Sequence, residues 1–365
     1  MKYIFSANIL TKIIAISLLC NMLFFNISYA ETLEYKKPYI VIDASNGDIL
    51  ARNRIFDSWY PASVTKMMTT YLTFKYMKKG LVKKTTPVRL SKYAVSQAPS
   101  CSGYRAGTIL TIDTALKIML VKSTNDIAVA LADCIGGDQE KFVKMMNDQA
   151  QALGMVDTHF ANANGLPNKN NYSTARDLAL LALAIRRDFP QYAYYFDIEA
   201  IDTGRDNEPI LNSNNLLGRF DGIDGMKTGF ICSSGYNLVA SATRGGHTMI
   251  AVVLGASRLD IREEVAANLL EIGFHSAGKG NFGNIYDEPS AHIQMKAPDL
   301  RNEVCTLEAL KKRRPFLDKK FRPILMSPYI NDYKENFSVI SVRPIYEPKA
   351  PPCKKPKAKH RRHAS

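Results

Sequence analysis

Two blocks of strand-like sequence enclose a long helical middle, and their placement limits the possible folds more than any single motif. The first block, Tyr39 to Arg52 (YIVIDASNGDILAR), alternates apolar and polar residues around Asn46-Gly47, a pair that favours the tight turn of a hairpin. The second comprises Met226 to Ile231, Tyr236 to Thr243 and His247 to Leu254, the last two joined through Gly245-Gly246. Between them, Pro61 introduces SVTKMMTTYLTFKYM, whose apolar spacing is helical and which stops near Gly80. Further helices are predicted from Thr111 to Leu120, Asp126 to Ile135, Gln139 to Leu153 and Thr174 to Arg187, and a last one from about Leu259 to Phe274. Early and late strands with helices between them predict an α/β chain: an antiparallel sheet in an α/β/α sandwich with a helical insertion.

The two ends differ from this body. Lys2 and Lys12 precede the apolar run IIAISLLCNMLFFNI and the ending Ser28-Tyr29-Ala30, the pattern of a secretory signal peptide over residues 1–30. Asn21 and Asn26 interrupt the run, which falls short of the about 20 apolar residues of a spanning helix. The sequence therefore predicts export to the periplasm or cell envelope and a mature chain from near Glu31. The net charge of +14 is uneven: residues 31–290 carry 28 basic and 27 acidic side chains, whereas 291–365 carry 18 and 7. The basicity thus belongs to the C-terminal region. Residues 279–347 hold short strand-like pieces such as FSVISVRPIY, and 348–365 is a Pro/Lys/Arg tail expected to be disordered. Its chemistry suits anionic lipid headgroups or acidic wall polymer, and no groove-reading motif points to nucleic acid.

Five cysteines remain after Cys20 and show no CxxC spacing, so at most two disulfides form, with the pairing open. The six histidines make no ligand pattern, and neither metal nor cofactor is expected.

Three short motifs occur in order: Ser63-Val64-Thr65-Lys66, Ser123-Thr124-Asn125 and Lys227-Thr228-Gly229. Alone, each is common; a serine and a lysine three apart usually mean a helix start with a solvated lysine. Together, one opens a helix after a hairpin, one sits at a helix junction and one lies on a strand, the arrangement of serine β-lactamases and penicillin-binding proteins. Chemically, a serine hydroxyl needs a base, and a lysine is a base only when desolvation or a neighbouring cation depresses its pKa. Ser63 is then the nucleophile, Lys66 the base and Lys227 a candidate second cation.

The surrounding text resembles the D-alanyl-D-alanine carboxypeptidases, low-molecular-mass penicillin-binding proteins of serine peptidase family S11. The resemblance runs over roughly residues 38–275, through PASVTKMMT, STNDIAVALADCIGG, MNDQAQALGM, THFANANGL, YSTARDLALLA, DGIDGMKTG and GYNLVASATRGG. It implies a DD-peptidase-like fold for residues 31–278 and removal of the terminal D-alanine from peptidoglycan stem peptides through an acyl-enzyme, with β-lactam antibiotics as covalent inhibitors. It also implies an oxyanion site from the amides of Ser63 and Phe230, proton relay by Ser123, a substrate-binding role for Asn125, and Arg262 near the substrate's terminal carboxylate. That carboxylate calls for a hydroxyl and a cation, which Thr228 and Lys227 offer. Gly229 is expected to let substrate approach the strand edge.

Several features depart from the family pattern. Phe230 stands where histidine is frequent, so only its backbone role carries over. Ile231-Cys232-Ser233-Ser234 is uncharged, Ser213 stands where an arginine is expected, and the C-terminal region is short and basic. Three other readings share parts of the pattern: a DD-endopeptidase, a serine β-lactamase and a non-catalytic wall-binding protein. Glu208-Pro209-Ile210-Leu211-Asn212 matches the β-lactamase E-x-x-L-N pattern in letters but comes too late in the chain, and Glu208 is read as a surface loop residue.

Overall fold

Tyr39–Asp43 (β1) and Ile49–Asn53 (β2) form the expected hairpin, its turn closed by Gly47 N–H donating to Asp43 O at 2.8 Å with Gly47 at φ 82°. This computed structural model describes residues 35–278, 282–288, 296–319, 322–333 and 336–348. The expected signal peptide and the basic tail beyond Pro348 lie outside the described residues.

Ile223–Ile231 (β3), Gly235–Arg244 (β4) and His247–Ala256 (β5) complete a five-stranded antiparallel sheet of order β2-β1-β5-β4-β3. The interior strands β1, β4 and β5 are buried over most of their length, because helices cover both faces. Helix Leu259–Ser276 packs on one face against β5, β4, β1 and β2. Helix Ala175–Asp188 packs on the other, capped by Thr174, whose hydroxyl accepts the Asp177 N–H at 3.1 Å. The α/β/α sandwich is as expected. In this order β3 pairs only with β4, so the strand bearing Lys227-Thr228-Gly229 is an edge.

The helical insertion carries the other two motifs. Lys66–Lys78 (α1) is buried without a break from Lys66 to Phe74, as suits a helix inside the molecule. Ile112–Lys122 (α2), capped by Thr111, ends at Ser123 in the left-handed region (φ 59°, ψ 37°), and Asn125–Gly136 (α3) begins two residues later. This reversal is the expected junction.

Some local structure differs from expectation. Ser63 does not sit in the first turn of α1 but in a 3-10 turn, Ala62–Thr65, that precedes it. Short strand pairs at Pro87–Arg89 with Ile109–Thr111 and at Ala200–Asp202 with Ile210–Leu211 were not expected, being too short to carry a readable alternation. The C-terminal segment is stitched to the body: Val339–Ser341 pairs in parallel with Ala200–Asp202, and Cys232 forms a disulfide with Cys305. Cys134 is a free thiol, and Cys353 lies outside the described residues. The described residues from Lys37 onward group as one compact unit.

Candidate active site

Ser63 is held by contacts on either side of its turn. Asn237 of β4 donates from Nδ2 to Tyr60 O (2.9 Å) and Pro61 O (3.3 Å), while its Oδ1 accepts the Gly255 N–H (2.9 Å). A Cβ on Gly229 would lie 2.7 Å from Pro61 O and 3.1 Å from the nitrogens of Ser63 and Val64. The glycine of the third motif is therefore required by the protein's own Ser63 turn, a reason beside the expected approach of substrate. From the opposite side, a Cβ on Gly165 would come within 1.8 Å of Ala62 O, and Gly165 is at φ 80°.

Lys66 is fully buried, and its Nζ lies 2.8 Å from Ser63 Oγ, 2.8 Å from Asn125 Oδ1 and 2.6 Å from Asn164 O. A neutral amine has two N–H bonds and one lone pair. The two carbonyl oxygens take the hydrogens, which leaves the lone pair for the Ser63 hydroxyl proton. Burial holds the Lys66 pKa well below that of an ordinary lysine, Lys227 lowers it further by repulsion, and Asp126 partly opposes both. The first two motifs and the Ala161–Leu166 loop thus meet at one nitrogen. Thr69 fastens that loop to α1 by donating to Ala163 O at 2.7 Å.

Ser123 is half-buried, and its hydroxyl has no hydrogen-bond partner among the described residues. Asn125 donates its backbone N–H to Ser100 O at 2.7 Å, and the Asp126 carboxylate takes the Ser102 N–H (2.8 Å) and hydroxyl (2.6 Å). These bonds fix the 100–102 segment beside α3.

Comparison with known proteins identifies the family and the fold. The profile of peptidase family S11, described as D-alanyl-D-alanine carboxypeptidase, matches residues 30–258. The D-alanyl-D-alanine carboxypeptidase DacA of Escherichia coli K12 is 35% identical over 295 residues, covering 75% of this chain and 72% of DacA. The chain belongs to the D-alanyl-D-alanine carboxypeptidase family. Among solved structures, penicillin-binding protein 5 from Haemophilus influenzae matches with a TM-score of 0.62 and 33% identity over 66% of this chain and 71% of that one. Penicillin-binding protein D2 from Listeria monocytogenes, in its ampicillin-bound form, matches with a TM-score of 0.58 and 29% identity over 66% of this chain and 97% of that one. The fold is the penicillin-binding, DD-peptidase sandwich, and the enzyme class is that of a serine D-Ala-D-Ala carboxypeptidase.

In this carboxypeptidase the edge strand carries the third motif. Lys227 is buried; desolvation, aided by Arg262, lowers its pKa to about 7. Its Nζ donates to Thr228 O at 3.0 Å and lies 3.5 Å from Thr228 Oγ1, which is 2.7 Å from Ser213 Oγ. Arg262 is not a solvated surface residue. It is buried, paired with Glu263 and donates to Ser213 O at 3.2 Å, so it reaches the motif through Ser213. Phe230 is 38% exposed and its ring packs on Tyr236 at 4.3 Å between centroids. Glu208 is exposed in the turn between Ala200–Asp202 and Ile210–Leu211.

Sequence reading missed Asn164, Gly165, Asn237, Ser213 as a partner of Thr228, and Glu263. Asn237 alone had a legible signal: an amide inside the otherwise apolar strand GYNLVASA requires partners once buried. The others contact the site only because the chain folds back on itself.

Proposed function

We propose that Ser63 and Lys66 perform the acyl transfer of a D-Ala-D-Ala carboxypeptidase. The observation that carries the reading is the 2.8 Å Ser63–Lys66 contact, in which the other two polar neighbours of Nζ are hydrogen-bond acceptors. Neutral Lys66 takes the Ser63 proton as Oγ attacks the carbonyl of the penultimate D-alanine. The oxyanion is received by the Ser63 and Phe230 amides; Gly229 brings the edge strand against the Ser63 turn, which supports that pairing. The C–N bond breaks as a proton passes through Ser123 to the leaving amine, and water then cleaves the Ser63 ester. Asn125 binds the substrate's peptide group, and Thr228 with Lys227 receives the terminal carboxylate.

Penicillins follow the same first step and stop at the Ser63 ester. The intact mass of the protein after penicillin should rise by one adduct, absent in Ser63→Ala, and the wild type should release D-alanine from a stem pentapeptide. An adduct retained by Ser63→Ala, or no D-alanine release, would overturn the reading.

The reading places the enzyme in the periplasm or elsewhere in the cell envelope, supported by the signal-like segment 1–30. A mature N-terminus near Glu31 checks it. The basic tail is read as a contact with anionic membrane or wall polymer; deleting residues 348–365 should loosen membrane or wall association without lowering activity on a soluble peptide, and unchanged fractionation would refute this.

A further inference from the structure

The cationic end of the site holds a second hydroxyl outside the three motifs. Ser213 Oγ lies 2.7 Å from Thr228 Oγ1, beside the Lys227 ammonium. Thr228 is almost wholly buried, whereas Ser213 is half-buried, so Ser213 is the more open of the two to an arriving group. Arg262 is buried, pairs through Nη2 with the Glu263 carboxylate and donates to the Ser213 carbonyl, while its Nε has no partner among the described residues.

We propose that Ser213 Oγ is a specificity-determining group that binds the free carboxylate of the departing D-alanine together with Thr228 Oγ1, and that Tyr333 of the C-terminal segment holds it in place. This rests on the carboxypeptidase reading of the site. Each hydroxyl carries a single O–H donor. While they bond each other, one donor is left; a carboxylate with two acceptor oxygens lets both turn toward it, and each bond gains from the charge. A carboxamide offers one neutral acceptor oxygen and an NH2 from which the second hydroxyl can only accept, so the charge-assisted donation that both hydroxyls make to a carboxylate favours acid over amide.

The loop bearing Ser213 is clamped from the C-terminal side. Tyr333 donates its hydroxyl to Asn215 Oδ1 at 3.0 Å, and Asn215 Nδ2 donates to Glu263 Oε1 at 2.8 Å, the carboxylate that holds Arg262. The Tyr333 ring lies 3.9 Å from the Arg219 guanidinium and 4.2 Å from that of Arg322, and Arg219 Nε donates to Asn331 O at 2.7 Å. Tyr333 touches no motif residue in this chain of contacts; it is a positioning residue that acts through Asn215 and its loop.

The test compares kcat/KM for an acyl-D-Ala-D-Ala peptide and its C-terminal amide in the full mature chain. The wild type should prefer the acid. Ser213→Ala should cut that preference about tenfold, mostly through KM for the acid, as for loss of a hydrogen bond to a charged group. Ser213→Thr should restore most of it. Tyr333→Phe should lower it in the same direction by a smaller factor, and the double variant should be no worse than Ser213→Ala. A full penicillin adduct by intact mass verifies each variant's fold; if Ser213→Ala forms none, Ser213→Cys, with its weak thiol donor, replaces it. An unchanged preference in the Ser213 variant overturns the role of Ser213. An unchanged preference in Tyr333→Phe, or additivity in the double variant, overturns that of Tyr333. A wild type that cleaves neither substrate overturns the carboxypeptidase reading and this proposal with it.

Discussion

Gly165 lies so close beneath Ala62 that a Cβ would fall 1.8 Å from the Ala62 carbonyl oxygen, one residue before Ser63. The loop carrying Asn164 and the turn carrying Ser63 are thus in direct backbone contact. Gly165→Ala should cost several kcal/mol or displace the Ser63 turn, because the clash is with backbone and φ is 80°. Thermal melting should fall, and penicillin acylation should slow at least a hundredfold in whatever protein folds. A variant with wild-type acylation would show that the turn shifts without consequence.

Gly229→Ala is expected to be milder. Its Cβ would meet Pro61 O at 2.7 Å and Ser63 N at 3.1 Å, so the edge strand must move by a fraction of an ångström away from Ser63. Acylation should drop with a smaller loss of melting temperature than in Gly165→Ala. Stopped-flow acylation beside calorimetry separates the two effects.

The base should be active well below the ordinary lysine range. Burial and then the Lys227 charge lower the Lys66 pKa, so the acylation rate should rise with pH along a limb far below 10.5. Lys227→Gln removes the repelling charge and should move that limb to higher pH, besides weakening substrate binding. A pH profile of fluorescent-penicillin acylation reads the shift; a limb that moved to lower pH would contradict the electrostatic account.

Lys227 also links pH to stability. Its folded pKa of about 7 lies below the ordinary 10.5, through burial first and Arg262 second. Between these values the folded state binds fewer protons than the unfolded one, so this group makes stability rise with pH across that window. Below about pH 7 the cost of the buried charge is present in full. Lys227→Met should therefore exceed the wild type in stability by a few kcal/mol at pH 6, with the gap closing toward pH 10. Urea midpoints at both pH values measure it.

The Cys232–Cys305 bond, 73 residues apart in sequence, closes the C-terminal segment onto the turn after β3. Cys305→Ser should lower stability by about 2–4 kcal/mol while leaving the Ser63–Lys66 pair able to form the penicillin adduct. Equal melting of variant and wild type would mean that the noncovalent contacts of the segment suffice.

Local chemistry made much of this protein legible in one dimension. The Asn46-Gly47 turn, the caps at Thr111 and Thr174 and the stops at the helix ends are short-range signals, and they located the sheet's strands and the helical middle to within a few residues. Ser63, Lys66, Ser123, Asn125 and Lys227 are nameable from the order of three short motifs and from the family resemblance around them. Tertiary structure alone decided what surrounds them. Asn164 lends a carbonyl to Lys66 and Ser213 a hydroxyl to Thr228, and Arg262 turns inward to Glu263, all through contacts between segments far apart in the chain. A carbonyl, a hydroxyl or a glycine carries no mark of its distant neighbour in sequence. Its role follows from desolvation and close approach, which exist only once the chain has closed on itself.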